Sequence, residues 1–162
     1  MQVIKNYLDK NYFNGLKDKI LGKQNNFPFF FNNTVAYKED EKKLTDFYFH
    51  HMIYEDFTPT SDAFSLVGPI INKLEIKSLL RIKVNMYTRT EEIIKHNMHR
   101  DFHFEHKGAI LSLNTCDGGT WIEDKFVKSE ENQIVLFDPS KPHCSTSCTN
   151  EQVRVNINFN YF

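Results

Sequence analysis

The sequence lacks several features that define large classes of proteins. No apolar run approaches the roughly 20 residues that span a bilayer, and residues 1–10 alternate charged and apolar side chains instead of forming a secretory leader. Its three cysteines are too few and too irregularly spaced to indicate a disulfide framework or a thiolate zinc site. We therefore predict a cytoplasmic protein with no membrane segment.

The sequence also has no large excess of positive or of negative charge. The formal net charge is −1, and the basic residues are scattered among acidic ones, so no patch is suited to a phosphate backbone. A nucleic-acid partner is therefore not expected. The sequence has no internal repeat and no low-complexity linker, and 162 residues fit one domain. We predict a single domain over residues 1–162, in which residues 1–77 form a supporting strand-helix region and residues 78–162 form the core.

The first half mixes strands and helices. A short opening strand is expected within residues 3–8, followed by a helix that Asp9 caps and Gly22 ends. The aromatic run at residues 27–31 favours a buried strand. After a charged stretch at residues 38–43, a strand over residues 47–54 precedes a helix that begins at Ser61 or Asp62 and contains Pro69. This half predicts two helices as well as strands.

The second half is a series of short strands without room for crossover helices. The predicted strands are 79–87, 98–102, 109–114, 120–123, 133–137, 143–147 and 152–162. This spacing is typical of an antiparallel jelly roll. The predicted fold class is mainly β (α+β), a cupin-like jelly roll with N-terminal helices packed on one face.

The closing strand has the clearest pattern. Its alternate residues are polar, and those between them are apolar. The polar set is Arg154, Asn156, Asn158 and Asn160. We interpret the polar face as one wall of a ligand pocket inside the roll; the alternative is a face that meets water, as antiparallel strands often allow.

Three residues form a candidate metal site. On a strand, His99 and Asp101 project to the same side, and His143 reaches them from a distant strand. Two imidazoles and one carboxylate can occupy one face of an octahedral metal, which is the arrangement of non-haem Fe(II) oxygenases; zinc or manganese remain alternatives. We interpret His50 or His51 as a packing residue and place the remaining histidines, His96, His103 and His106, in loops.

The motifs of residues 79–162 resemble a known family, the 2-oxoglutarate and Fe(II)-dependent oxygenases, and within it the small prolyl-hydroxylase-like members of phages and bacteria. The motifs are His99-Arg100-Asp101, the strand at 108–114, the Gly118-Gly119-Thr120 turn, residues 136–138, Pro142-His143 and the ending from Arg154 to Phe159. The resemblance implies a double-stranded β-helix, with iron bound by His99, Asp101 and His143.

The resemblance also implies a 2-oxoglutarate site. Arg154 would bind the far carboxylate of the co-substrate, since a guanidinium offers a carboxylate two parallel donors. Tyr87 matches a family tyrosine that reaches the co-substrate, and Asn85 would share its face. Two departures concern this site: the interval from His143 to Arg154 is longer than in many prolyl hydroxylases, and Ser112 stands where some relatives have a second tyrosine.

The resulting functional prediction is a 2-oxoglutarate-dependent dioxygenase that hydroxylates a protein or peptide side chain such as proline. Its expected partners are Fe(II), 2-oxoglutarate, dioxygen and an unidentified substrate. A free amino acid or small metabolite is the alternative substrate, and a catalytically silent jelly-roll binding module is the alternative function. Whether Ser112 or the three asparagines of the closing strand contact ligand stays open, as does the oligomeric state.

Overall fold

The computed structural model describes residues 1–24, 26–36 and 44–162, so the charged stretch at 38–43 lies outside the described residues. The described part has two helices, α1 (Lys10–Leu21) and α2 (Phe64–Lys73). Its strands are β1 (Gln2–Ile4), β2 (Phe30–Asn32), β3 (Tyr48–Glu55), β4 (Thr58–Pro59), β5 (Leu79–Thr88), β6 (Lys107–Ser112), β7 (Gly119–Ile122), β8 (Lys125–Lys128), β9 (Ile134–Phe137), β10 (His143–Ser145) and β11 (Val153–Tyr161).

Helix α1 begins and ends where the sequence predicts. The Asp9 carboxylate accepts hydrogen bonds from the backbone N–H groups of Asn11 and Tyr12, which satisfies two donors of the first turn. At the other end the Gly22 N–H donates to the Asp18 carbonyl at 2.7 Å. The buried residues of α1 recur at helical spacing: Phe13, Leu16 and Ile20.

In the described part of the chain, all strand pairs are antiparallel and belong to two sheets. The large sheet has the order β1-β9-β6-β11-β5-β3-β2, with β4 paired to β3, and the small sheet has the order β10-β7-β8. With two helices in the described residues, the chain is mainly β, as predicted. Neither described helix is long and apolar enough to cross a membrane.

Strand β11 lies in the middle of the large sheet, between β5 and β6, and separates two environments. Its apolar residues Val155, Ile157 and Phe159 pack into the main core together with buried residues of α1 and α2. Its polar residues are also buried, and Arg154 donates a hydrogen bond to Thr120 of the small sheet. The polar face therefore lies between the two sheets, and the alternative in which it meets water is wrong.

Two predicted strands of the first half are shorter in the structure. The aromatic run forms strand structure only from Phe30, and Phe30 and Phe31 are 59% and 61% exposed. Because β2 is the edge strand, one neighbour alone covers it, and the Phe31 ring packs on Phe47 and Phe49 instead of entering the core. The predicted opening strand likewise ends at Ile4.

The segment at 98–102 is a loop instead of the predicted strand. Its one ladder element is an isolated bridge in which the N–H groups of His99 and His143 each donate to the other residue's carbonyl, at 2.8 and 2.9 Å. The Asp101 N–H then donates to the Pro139 carbonyl at 3.0 Å, outside any ladder. Loop contacts, and not strand alternation, therefore fix the orientation of these side chains.

Candidate metal and co-substrate site

The three predicted metal ligands lie together. His99 and Asp101 belong to the loop between β5 and β6, and His143 is the first residue of β10. Their candidate ligand atoms all lie within 4.8 Å of one another. Asp101 is between the two rings, with Oδ1 3.9 Å from His99 Nε2 and Oδ2 3.9 Å from His143 Nε2. One ion could contact all three side chains.

Backbone carbonyls orient both imidazoles. The Nδ1 of His143 is 3.0 Å from the Lys141 carbonyl, and the Nδ1 of His99 is 3.3 Å from the Asn97 carbonyl. A carbonyl can only accept, so in the neutral form of each imidazole Nδ1 carries the proton and Nε2 offers the lone pair. This is the second contact that metal-binding histidines ordinarily make.

Charges near Asp101 favour the forms that a metal requires. Burial by itself would raise the pKa of Asp101, but Arg81, 2.7 Å from Oδ1, together with His143 and His99, holds that pKa well below its usual value. Burial and the neighbouring His143 lower the pKa of His99 to about 4. At neutral pH the carboxylate is charged and the His99 imidazole is neutral, and both are then competent ligands. Two imidazoles and one carboxylate fit an Fe(II) centre with open positions.

Arg154 lies between the sheets beside Tyr87. Only 1% of its surface is exposed, and its terminal nitrogens donate to the Thr146 carbonyl at 3.2 Å and to Thr120 Oγ1 at 2.8 Å. The guanidinium carbon is 5.1 Å from the centre of the Tyr87 ring. Arg154 Nε is buried without a hydrogen-bond partner among the described residues. A buried cation with an unused donor is suited to an anionic ligand.

Asn85 and Ser112 are near the same place. Asn156 of β11 is opposite Asn85 on one side and opposite Ser112 on the other. Asn85 Nδ2 donates to Asn156 Oδ1 at 3.1 Å, and Asn85 Oδ1 has no partner among the described residues. The structure therefore brings Tyr87, Asn85 and Arg154 to one face, as the alternation of the sequence predicts.

The sequence interpretation missed His96, which it placed in a loop without a role. His96 is buried, its ring is 5.5 Å from the Tyr87 ring in a stacked arrangement, and its Nδ1 is 2.9 Å from Ser145 Oγ. Tyr48 of β3 is also stacked on Tyr87, at 5.8 Å. No local pattern indicated His96, because its contacts are with Tyr87 of β5 and Ser145 of β10, outside the loop that contains it.

Arg81 and Lys83 were also missed, although a signal was present. Arg81, Lys83, Asn85 and Tyr87 occupy every second position of β5. The alternation that places Asn85 and Tyr87 on one face therefore places the two cations on the same face. His106, another predicted loop residue, is buried, and its Nε2 is 2.8 Å from Asn160 Oδ1.

A cavity of about 430 Å³ borders the metal-ligand cluster. Its lining residues are Met98, His99, Arg100, His103 and Pro142. One candidate ligand, His99, is part of that lining, so a molecule bound in the cavity would lie next to the candidate metal site.

No family model and no curated protein matches the sequence, but solved structures match the fold. A prolyl hydroxylase from Trichoplax adhaerens, in complex with a peptide fragment of the hypoxia inducible factor oxygen degradation domain, is 16% identical with a TM-score of 0.68; the alignment covers 99% of this chain and 82% of that one. A prolyl-4-hydroxylase from Pseudomonas putida is 11% identical, with a TM-score of 0.65 and coverages of 99% and 90%.

A third structure, an oxidoreductase of the 2OG-Fe(II) oxygenase family from Burkholderia pseudomallei, is 10% identical, with a TM-score of 0.65 and coverages of 98% and 83%. The predicted resemblance to prolyl-hydroxylase-like oxygenases is thus confirmed at the level of the fold. Fold alone does not establish activity or substrate, which depend on the residues of the site.

Proposed function

We propose that this chain is an Fe(II)- and 2-oxoglutarate-dependent dioxygenase, with residues 1–162 forming one catalytic domain built on a double-stranded β-helix. The observation that supports this best is the convergence of His99, Asp101 and His143 on one point. Each imidazole has its Nδ1 against a backbone carbonyl and its Nε2 3.9 Å from an Asp101 oxygen, which is the arrangement that a metal bound by all three would use. The fold of the similar oxygenases is consistent with this assignment.

Each site residue has a role in the proposal. His99, Asp101 and His143 hold the metal and leave positions for the co-substrate and dioxygen. Arg154 binds the far carboxylate of 2-oxoglutarate through the guanidinium, while Tyr87 and Asn85 flank the co-substrate on β5. Bound iron supplies the activation of dioxygen, with 2-oxoglutarate as the source of electrons. The protein orients both and excludes water.

The proposed reaction is hydroxylation of a protein or peptide side chain such as proline. The structure from Trichoplax adhaerens holds a peptide, and in this chain a cavity of about 430 Å³ borders His99. Hydroxylation of a free amino acid or small metabolite is the second candidate, favoured by the cations next to the metal ligands.

The test is anaerobic addition of Fe(II) and 2-oxoglutarate, followed by absorption spectroscopy. We expect a visible charge-transfer band in the wild type and none in His99→Ala. In Arg154→Ala we expect a band that needs about ten-fold or more 2-oxoglutarate, because one charge-assisted contact is lost. An exposed arginine, Arg89, provides the matched control variant Arg89→Ala. A folded wild type without a band would favour the silent binding module.

A further inference from the structure

Two cations extend the polar face of β5 beyond the co-substrate residues. In the pairing of β5 with β11, Arg154 is opposite Tyr87, Asn158 is opposite Lys83, and Asn160 is opposite Arg81. Residues on one face of a strand are about 7 Å apart. Lys83 and Arg81 are therefore the members of this face farthest from Arg154.

These cations lie at the metal end of the face. Arg81 contacts Asp101 Oδ1, and Asn158, the partner of Lys83, donates to Asp101 Oδ2 at 3.3 Å. A ligand held between Arg81 and Lys83 would be next to the metal ligands but separate from the place where Arg154 binds the co-substrate. In the proposed function, the position next to the metal and away from Arg154 is the one left for the substrate.

Within the residues that the structure describes, each cation lacks one interaction that a buried charged group usually has: Lys83 has no ion pair, and Arg81 has one donor without a hydrogen bond. Lys83 donates to the Tyr48 hydroxyl at 3.0 Å, and among the described residues no carboxylate forms an ion pair with it. Arg81 has its ion pair with Asp101, but its Nε is buried without a hydrogen-bond partner in the described part of the chain. Burial, and then the charge of Arg81, lowers the pKa of Lys83. A bound anion would give Lys83 a counter-charge and could accept a hydrogen bond from Arg81 Nε.

The charge balance of the site with Fe(II) and 2-oxoglutarate bound also favours an anionic substrate group. The two charges of Fe(II) and those of Arg154, Arg81 and Lys83 exceed the charges of Asp101 and 2-oxoglutarate by about two positive charges. Glu55, the other acid whose charge acts on Lys83, makes no ion pair with it and offsets about one of the two. Buried charge without a counter-charge is costly, so a neutral substrate group fits this position poorly.

We propose that Arg81 and Lys83 bind a carboxylate of the substrate next to the metal. This inference rests on the proposed oxygenase function and narrows its substrate class. The carboxylate has two possible sources: the α-carboxylate of a free amino acid, or an acidic side chain adjacent to the modified residue of a peptide.

The test measures binding and does not depend on turnover. Protein loaded anaerobically with Mn(II) and 2-oxoglutarate is dialysed to equilibrium, and retained compounds are measured by mass spectrometry. One arm compares a mixture of free amino acids with the mixture of their amides. The other compares capped tripeptides of random sequence with glutamate in the middle against the same peptides with glutamine. We expect the carboxylate to be retained about ten-fold or more over the amide in one arm, and that arm identifies the source.

Variants of Lys83 distinguish the effect of its charge from an effect on the structure. Lys83→Met keeps an apolar stem of similar length, and we expect it to reduce the preference below about three-fold with unchanged 2-oxoglutarate affinity, whereas Lys83→Arg keeps the preference. Lys125→Met changes an exposed lysine of β8 and serves as the control. Thermal melts of each variant verify that it is folded.

Three results overturn the inference. They are no carboxylate preference in either arm, a preference that survives in folded Lys83→Met, and a loss of 2-oxoglutarate affinity in Lys83→Met, which would assign Lys83 to the co-substrate. A wild type without the Fe(II) and 2-oxoglutarate absorption band would instead refute the proposed function, and the inference with it.

Discussion

Individual polar atoms on the inner face of the large sheet indicate where ligands would bind. Buried polar atoms in proteins nearly always have hydrogen-bond partners. Within the described residues, Arg81 Nε, Asn85 Oδ1 and Arg154 Nε are exceptions, and all three lie on the face that β5 and β11 share. His50 Nδ1, from the residue paired with Asn85, is another. Their concentration on one face fits a site that ligand atoms complete.

His96 gives a prediction at the residue scale. Burial lowers its pKa to about 4, although the hydrogen bond with the Ser145 carbonyl acts in the opposite direction. Between pH 6.5 and 4 the unfolded chain therefore binds the extra proton and the folded chain does not, so stability falls as the pH falls. Between pH 6.5 and pH 5, this one group lowers the free energy of unfolding by about 2 kcal/mol.

Urea denaturation of the metal-free protein at pH 7 and pH 5 measures the effect. We expect His96→Phe, which keeps a ring against Tyr87 but cannot titrate, to lose about 2 kcal/mol less than the wild type over this interval. Its stability at pH 7 should be lower, because the contact with Ser145 is gone. Equal pH dependence in the two proteins would contradict the assignment of a low pKa to His96.

Among the secondary-structure elements, β7 begins at a residue that lies very close to the backbone of β8. A Cβ on Gly119 would be 2.2 Å from the Val127 carbonyl oxygen of β8, while a Cβ on Gly15 in helix α1 meets nothing within 4 Å. β7 also positions Thr120, which accepts a hydrogen bond from Arg154. The same change of glycine to alanine should therefore have opposite effects in the two elements.

We expect Gly119→Ala to lower the free energy of unfolding by about 1–3 kcal/mol through overpacking. Gly15→Ala should raise it by about 0.5–1 kcal/mol, because alanine loses less backbone entropy in a helix. Chemical denaturation checks both values, and the absorption band reports whether Gly119→Ala also weakens 2-oxoglutarate binding. A neutral Gly119→Ala would show that β7 and β8 can separate without cost.

Elements also differ in how far sequence predicted them. The alternation of β11 and the Asp9 cap of α1 were readable because both depend on neighbours within a few residues. The loop at His99 and Asp101 was predicted as a strand, because a His-x-Asp spacing is compatible with a strand while the deciding contacts are with His143 and Pro139. The exposure of Phe31 was missed because an aromatic run does not reveal an edge position.

At the scale of the whole molecule, the candidate site joins parts that the chain order separates. His99 and Asp101 lie in a loop, His143 lies in the small sheet, and Arg154 lies in the large sheet. A metal and 2-oxoglutarate bound there would crosslink these parts in the folded state and not in the unfolded state. Ligands of this kind stabilise the fold by mass action.

We expect Mn(II) with 2-oxoglutarate, each at about 100 times its dissociation constant, to add about 2.7 kcal/mol per ligand and to raise the melting temperature by about 2–4 °C per kcal/mol. Thermal melts with and without a chelator measure the shift. His143→Ala should melt at one temperature under both conditions. A shift of wild-type size in that variant would indicate that the metal binds elsewhere.

Two statements stay predictions: that residues 1–162 form a single domain, and that the chain resembles the oxygenases of phages and bacteria in particular. Local sequence was enough to identify the candidate ligands His99, Asp101 and His143 by residue type, and to identify the two faces of β11, because alternation along a strand is a local property. The tertiary structure alone decided which of those faces is enclosed, since burial depends on the small sheet that packs over it. It also decided that His96 stacks on Tyr87 and that Arg81 pairs with Asp101. These contacts join residues of β5 to residues of the loop that follows it, and alternation along a single strand does not specify them.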